Sequence, residues 1–232
     1  MAENKLIVSK GNALARAIQT LDVTEAKVME YCLATIYYKE VISADKVFTV
    51  DIDTLAKVCN MDRSLAYREL KRVVIGIRNK EIRLPKLGYE GKMVATSWVS
   101  EVEYNDDLAQ LELRLSPAII SYITGESVLK NFVTYKLDTV IHFRNLYSNR
   151  LYCLLKSYAH AKARFQHSMS LVELREYLSV PDNSYKAWGN LKVVIQRTLD
   201  EINEKSDVVV EMAERKKNGK VAVLVFSLAI KE

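Results

Sequence analysis

The stretch SYKAWGNLKVVIQRTLDEIN (residues 184–203) decides how the rest of the chain is read. Its apolar residues Trp188, Leu191, Ile195, Leu199 and Ile202 recur at three- and four-residue spacing. That period predicts a helix laid with one side on a core. Between them stand Tyr185, Lys186, Asn190, Lys192, Gln196 and Arg197, which have hydrogen-bonding tips and few acids among them. This second face is not that of an ordinary solvated helix, and the elements around it say what it is for.

Working outward, SLVELREYLSV (170–180) reads as a short helix with Ser170 as its cap, and PDNS (181–184) as the turn into the opening helix. Upstream, SNRLYCLLKSYAHAKA (148–163) is expected to be a helix with an apolar stripe at Leu151, Leu154, Leu155 and Tyr158. Downstream, DVVVEMAE (207–214) and VAVLVFSLAI (221–230) form a hairpin across the basic turn RKKNGK (215–220), with Gly219 supplying the turn geometry. The first half follows the same order. It has a long helix at TEAKVMEYCLATIYYKE (24–40), a short strand at KVFTVD (46–51), and a short helix at DIDTLAKVCNM (51–61) capped by Asp51 or Asp53. A third helix, DRSLAYRELKRVVIGIRNKEI (62–82), turns Ala66, Leu70, Val73, Val74 and Ile77 inward. Strands MVATSWVSEVEY (93–104) and AQLELRLS (109–116) then flank the turn NDD (105–107).

Helix, short helix, turn, longer helix and hairpin is the plan of a winged helix. The fold class is therefore α+β, with two tandem winged-helix domains at 1–134 and 135–232. The two third helices even share letters, LKRVVIGIRNKEI from Leu70 and LKVVIQRTLDEI from Leu191.

Charge separates the halves. Residues 1–135 carry 18 Lys+Arg against 18 Asp+Glu, and residues 136–232 carry 16 against 11, so the whole +5 excess lies in the C-terminal part. A basic half beside a neutral one suggests an anionic partner for the former. Other classes find little support. No apolar run is long enough to span a bilayer, and MAENKLIVSKGN (1–12) lacks the pattern of a secretory signal, so a cytoplasmic protein is expected. Cys32, Cys59 and Cys153 follow no metal or disulfide spacing and read as reduced core thiols. His160 and His167 fall in a polar connector, and HAKARFQH (160–167) is not a His-x-His metal pair. With no glycine-rich phosphate loop, neither an enzyme nor a cofactor is expected.

In a helix-turn-helix the second helix enters the major groove, so its leading side chains must be long, hydrogen-bonding and not acidic. In the C-terminal domain Asn183, Ser184, Lys186, Asn190, Lys192, Gln196 and Arg197 meet that need. Arg215, Lys216, Lys217 and Lys220 sit on the wing for phosphates. The N-terminal domain offers Arg63, Ser64, Tyr67, Arg68, Lys71 and Arg72. Its hairpin carries Glu101, Glu103, Asp106 and Asp107, which phosphate would repel. That hairpin either pairs with another subunit through Val99, Val102 and Tyr104 or folds onto its own domain.

The segments SNRLYCLLKSY, LVELREYLSV, YKAWGNLK and LDEIN resemble the Rep initiator proteins of theta-replicating plasmids, which bind repeated origin sequences called iterons. LIVSKGNALARA (6–17), ATSWVSEVEY (95–104) and LELRLSPAI (111–119) resemble that family's first domain, so the likeness covers nearly the whole chain. Its compact members belong to small circular plasmid-like replicons. The resemblance implies that the C-terminal domain makes the main base contacts, while the N-terminal domain adds backbone contacts and forms the homodimer interface. It implies further that monomers bind direct repeats to open the origin and dimers repress the protein's own gene. Host helicase and host initiator would be recruited. One departure is that Val193 and Val194 stand where family members often carry a denser basic cluster. The competing expectations are a dimeric winged-helix repressor without a replication role and a winged-helix scaffold that binds only protein.

Overall fold

A strand running straight into a capped helix organises both halves of the chain. A computed structural model describes residues 6–37, 40–87, 89, 91–124, 131–159 and 164–231. They group into two units, Met1–His142 and Phe143–Glu232. The division falls after His142 and not after residue 134. Strand Phe132–Lys136 pairs antiparallel with Ile7–Gly11, and the short helix Leu137–Ile141 packs on a helix of the first unit.

In the first unit, β1 (Ile7–Gly11) leads through α1 (Asn12–Ala15) and β2 (Ile18–Gln19) to α2 (Val23–Ala34). Asp22 and Glu25 close a capping box at the start of α2. The helix ends at Thr35, whose hydroxyl donates to the Cys32 carbonyl at 2.7 Å, well short of the expected residue 40. β3 (Val47–Asp51) ends on Asp51, which caps α3 (Ile52–Cys59) by accepting from the Thr54 amide at 2.7 Å. Asn60, in the left-handed region at φ 51°, ends α3. Asp62 then caps α4 (Arg63–Ile77). An added ribbon, β4 (Glu81–Pro85) and β5 (Met93–Ser97), forms a sheet with β2. The wing strands are β6 (Val99–Asn105) and β7 (Gln110–Leu115), in a sheet of order β3-β7-β6. The expected strand 93–104 is thus two strands in two sheets, separated at the buried Trp98. α5 (Pro117–Ile120), β8 (Phe132–Lys136) and α6 (Leu137–Ile141) complete the unit.

Lys10 and Glu30 form an ion pair at 2.8 Å with side chains only 3% and 6% exposed, and the Tyr135 hydroxyl donates to Glu30 at 2.8 Å. The pair ties β1, β8 and α2 together. Burial pushes the Cys32 thiol up to about 12 and the Cys59 thiol up to about 11, and all three cysteines are free thiols.

The second unit comprises α7 (Leu146–Ala159), β9 (Arg164–Ser170), α8 (Leu171–Tyr177), α9 (Trp188–Lys205), β10 (Val208–Lys217) and β11 (Lys220–Ile230). Its sheet has the order β10-β11-β9. This matches β6-β7-β3 strand for strand. In each unit the strand before the helix-turn-helix pairs antiparallel with the second wing strand. β9 corrects the reading of residues 160–167 as a connector. Residues 160–163 lie outside the described residues, but 164–170 alternate like a half-buried strand, with Met169 buried and Phe165 and His167 half-buried. His167 stacks on Tyr158 with ring centroids 4.2 Å apart, so it is not a free surface residue.

Ser170 and Glu173 close a capping box on α8. Leu191, Ile195, Leu199 and Ile202 of α9 are buried against a core that includes Leu151, Leu155, Leu174, Val210 and Phe226. Truncating a fully buried residue such as Ile195 to Ala would cost about 2–5 kcal/mol. The hairpin closes at Asn218 and Gly219, with φ of 53° and 75°, the two-residue turn whose twist suits paired strands.

Candidate nucleic-acid interface

α9 begins at Trp188, not at residue 184. Ala187 is its N-cap in extended backbone, and Tyr185 just before it has a φ of 47°. Asn183, Ser184 and Lys186 therefore belong to the loop leading into the helix. Arg175 of α8 holds that loop by donating to the carbonyls of Pro181, Ser184 and Tyr185 at 3.3, 2.9 and 2.9 Å. Trp188, expected on the core side, is only half-buried.

Asn183, Lys186, Asn190, Lys192, Gln196 and Arg197 are exposed, and Ser184 is half-buried. Val193 shares this outer face and is 51% exposed. Gln196 donates to Asp200 at 3.0 Å within the helix. Lys192 pairs at 2.8 Å with Glu214 of β10. Glu214 lies on the same side of β10 as the buried Val208 and Val210, beyond the end of the core, which brings it under the first turns of α9. Lys192 outweighs burial and holds the Glu214 carboxyl below the usual range. At the wing tip Arg215, Lys216, Lys217 and Lys220 are all exposed. A bulge between Arg215 and Lys216 twists the end of β10. Among the described residues no ion pair engages Lys186, Arg197 or these four wing cations.

The first unit presents its third helix differently. Ser64 and Arg68 are exposed, and Arg68 has no ion pair among the described residues. Each of the other cations faces an acid. Arg63 lies 3.5 Å from Asp53, Lys71 lies 2.9 Å from Asp106, and Arg72 bonds both Asp22 and Glu69. The Tyr67 hydroxyl also donates to Asp106, at 3.2 Å. Lys71 sits over the rings of Tyr67 and Tyr104, 4.7 and 5.1 Å from their centroids. The acidic hairpin tip thus folds back onto its own third helix.

Arg175, Asp106 and Glu214 were not singled out for these roles in the sequence. Glu214 alone carried a signal, as an acid in the inward register of a strand. Among the described residues no cluster of metal-binding side chains occurs, and no helix is long and apolar enough to cross a membrane.

Two helix-turn-helix units with hairpin wings, one of them presenting a cationic helix and wing tip, define a winged-helix protein of nucleic-acid-binding type. The initiator replication protein model for the first winged helix matches residues 7–156, and the model for the second matches residues 170–228. The chain belongs to the initiator replication protein family. It is 26% identical to the PI protein of Escherichia coli over 251 aligned positions, covering 95% of this chain and 82% of that protein. It is also 26% identical to a replication initiation protein of Escherichia coli, covering 81% of this chain and 58% of that protein. The Pi initiator protein, whose crystal structure is in complex with iteron DNA, has the same fold, with a TM-score of 0.81, 24% identity and full coverage of both chains.

Proposed function

We propose that this chain is a sequence-specific, double-stranded DNA-binding replication initiator that reads origin iterons through its second winged helix. The observation that carries this reading is the set of exposed cations, without an ion pair among the described residues, on the leading loop and helix, Lys186 and Arg197, and on the wing tip, Arg215, Lys216, Lys217 and Lys220. Together they flank a helix whose other side is anchored in the core. In this reading Asn183, Ser184, Lys186, Asn190, Lys192, Gln196 and Arg197 face base edges, and the wing cations neutralise phosphates. Release of counterions from those phosphates makes binding steeply dependent on salt.

The first winged helix takes the auxiliary part. With Arg63, Lys71 and Arg72 already paired to acids, it contributes backbone contacts through Ser64, Tyr67 and Arg68 together with whatever pairs DNA displaces. It also carries the homodimer contact. Monomers occupy direct repeats and open the origin, dimers repress the protein's own gene, and host helicase and initiator are recruited in the cytoplasm. The protein acts by binding and straining DNA, not by catalysis.

Mobility shift with a duplex of direct repeats from beside its own gene, against an unrelated duplex at low and moderate salt, tests the proposal. A salt-sensitive complex with clear preference for the repeats is expected, and equal binding to both duplexes would refute it.

A further inference from the structure

Lys71, the ninth residue of α4, and Lys192, the fifth of α9, have the same local setting. Each follows a fully buried leucine, Leu70 or Leu191, that fixes the helix against its core. Each ammonium is held by a carboxylate of its own wing, Lys71 by Asp106 at 2.9 Å and Lys192 by Glu214 at 2.8 Å. The acids come from different places, one from the turn between β6 and β7 and the other from the body of β10. Each hairpin thus delivers a carboxylate to a lysine of its own third helix.

We infer that Asp106 and Glu214 are specificity-determining residues, which lower the affinity of Lys71 and Lys192 for non-cognate DNA by competing with phosphate for their ammonium groups. This rests on the DNA-binding function proposed above. Non-specific binding is almost wholly neutralisation of phosphates, so a lysine already neutralised adds little to it. At a cognate site the base-edge acceptors met by the face of α9 offset the loss of the Lys192 pair, and the binding they secure also offsets displacement of Asp106 from Lys71. Glu214 is the more fixed partner, with a side chain 19% exposed against 52% for Lys192, so the lysine is the group free to move. In the first unit the rings of Tyr67 and Tyr104 hold Lys71 toward Asp106. The unpaired wing-tip cations supply phosphate affinity without needing either lysine.

The test is fluorescence-anisotropy titration of the full chain with an unrelated duplex across a salt series. Glu214→Gln and Asp106→Asn remove the proposed blocks. Glu211→Gln and Asp107→Asn remove the same charge from neighbouring positions without touching either pair. The first two should raise affinity for unrelated DNA roughly two- to fivefold at low salt and steepen the salt slope by about one. The controls should gain distinctly less, and in a Lys192→Met background the gain from Glu214→Gln should vanish. Equal gains in all four variants, or none in the first two, would overturn the inference while leaving DNA binding intact. A wild-type chain without salt-sensitive binding to any duplex would overturn the DNA-binding reading itself, and this inference with it.

Discussion

The guanidinium of Arg175 donates to the carbonyl of Tyr185 at 2.9 Å, and so fixes the chain two residues before the N-cap of α9. Tyr185 holds a positive φ that a non-glycine residue adopts only where its surroundings enforce it. Three carbonyls on one planar side chain supply that enforcement, and they place Asn183, Ser184 and Lys186 relative to the helix. Lysine keeps the charge but lacks the fork that spans several acceptors. Arg175→Lys is therefore expected to lower the ratio of repeat to unrelated-duplex affinity roughly tenfold, with little change in unrelated binding, in paired anisotropy titrations.

Phosphate contacts at the wing predict a different signature. Replacing Lys216 and Lys217 together by Ala should weaken binding to every duplex and reduce the slope of log affinity against log salt by about two. Sequence preference should stay as it is, because wing-tip cations on phosphates carry no base readout. A salt series with the double variant measures both quantities.

Breaking the buried pair of Lys10 and Glu30 should strongly destabilise the first unit. Lys10→Ala leaves Glu30 at 6% exposure without its counter-ion, a loss of about 3–5 kcal/mol for a buried pair. Urea unfolding should report it. Because the pair joins β1 to α2, protection of the β1 and β8 amides from hydrogen exchange should fall first.

Acid should loosen the second unit in a definable range. Burial works against ionisation of Asp207, yet Lys156 and the Tyr152 hydroxyl outweigh it and hold its carboxyl below the usual range. Burial of Glu201 is likewise outweighed, by the amide of Arg144, the Ser148 hydroxyl, Lys205 and the amide of Asn145. Carboxylates with depressed folded values contribute stability that is fully present above their unfolded pKa, about 3.9 for Asp and 4.3 for Glu. That stability is lost as pH falls through those values toward the folded ones. Thermal melts from pH 6 downward should therefore hold steady to about pH 5 and then decline. In Asp207→Asn and Glu201→Gln the melting temperature should start lower and decline less.

Much of this molecule was legible in its sequence because it is written in periods and caps. The stripe Leu191, Ile195, Leu199 and Ile202 marked α9, Asp51 or Asp53 and Ser170 marked the starts of α3 and α8, and Gly219 marked the wing turn. β9 was missed because its Phe165-x-His167-x-Met169 alternation is short and two of its inward residues are only half-buried. The start of α9 was missed because Tyr185 gains its conformation from Arg175, a tertiary contact that helical spacing does not encode. The Lys71–Asp106 and Lys192–Glu214 pairs were hidden for the same reason, since each joins residues from different elements. What a sequence displays is local order, whereas a site is set by the elements that order brings together.

In the proposed function the outer face of α9 reads bases. Selection of bound sites from random duplex DNA, run in parallel with the wild-type chain and with Arg197→Ala, tests it most directly. The wild type should enrich one repeated motif, and the variant should enrich that motif with preference relaxed at one or two adjacent positions, at a cost of about 1–3 kcal/mol for the lost contact. An identical motif of identical strength from both proteins would place base reading elsewhere on the molecule.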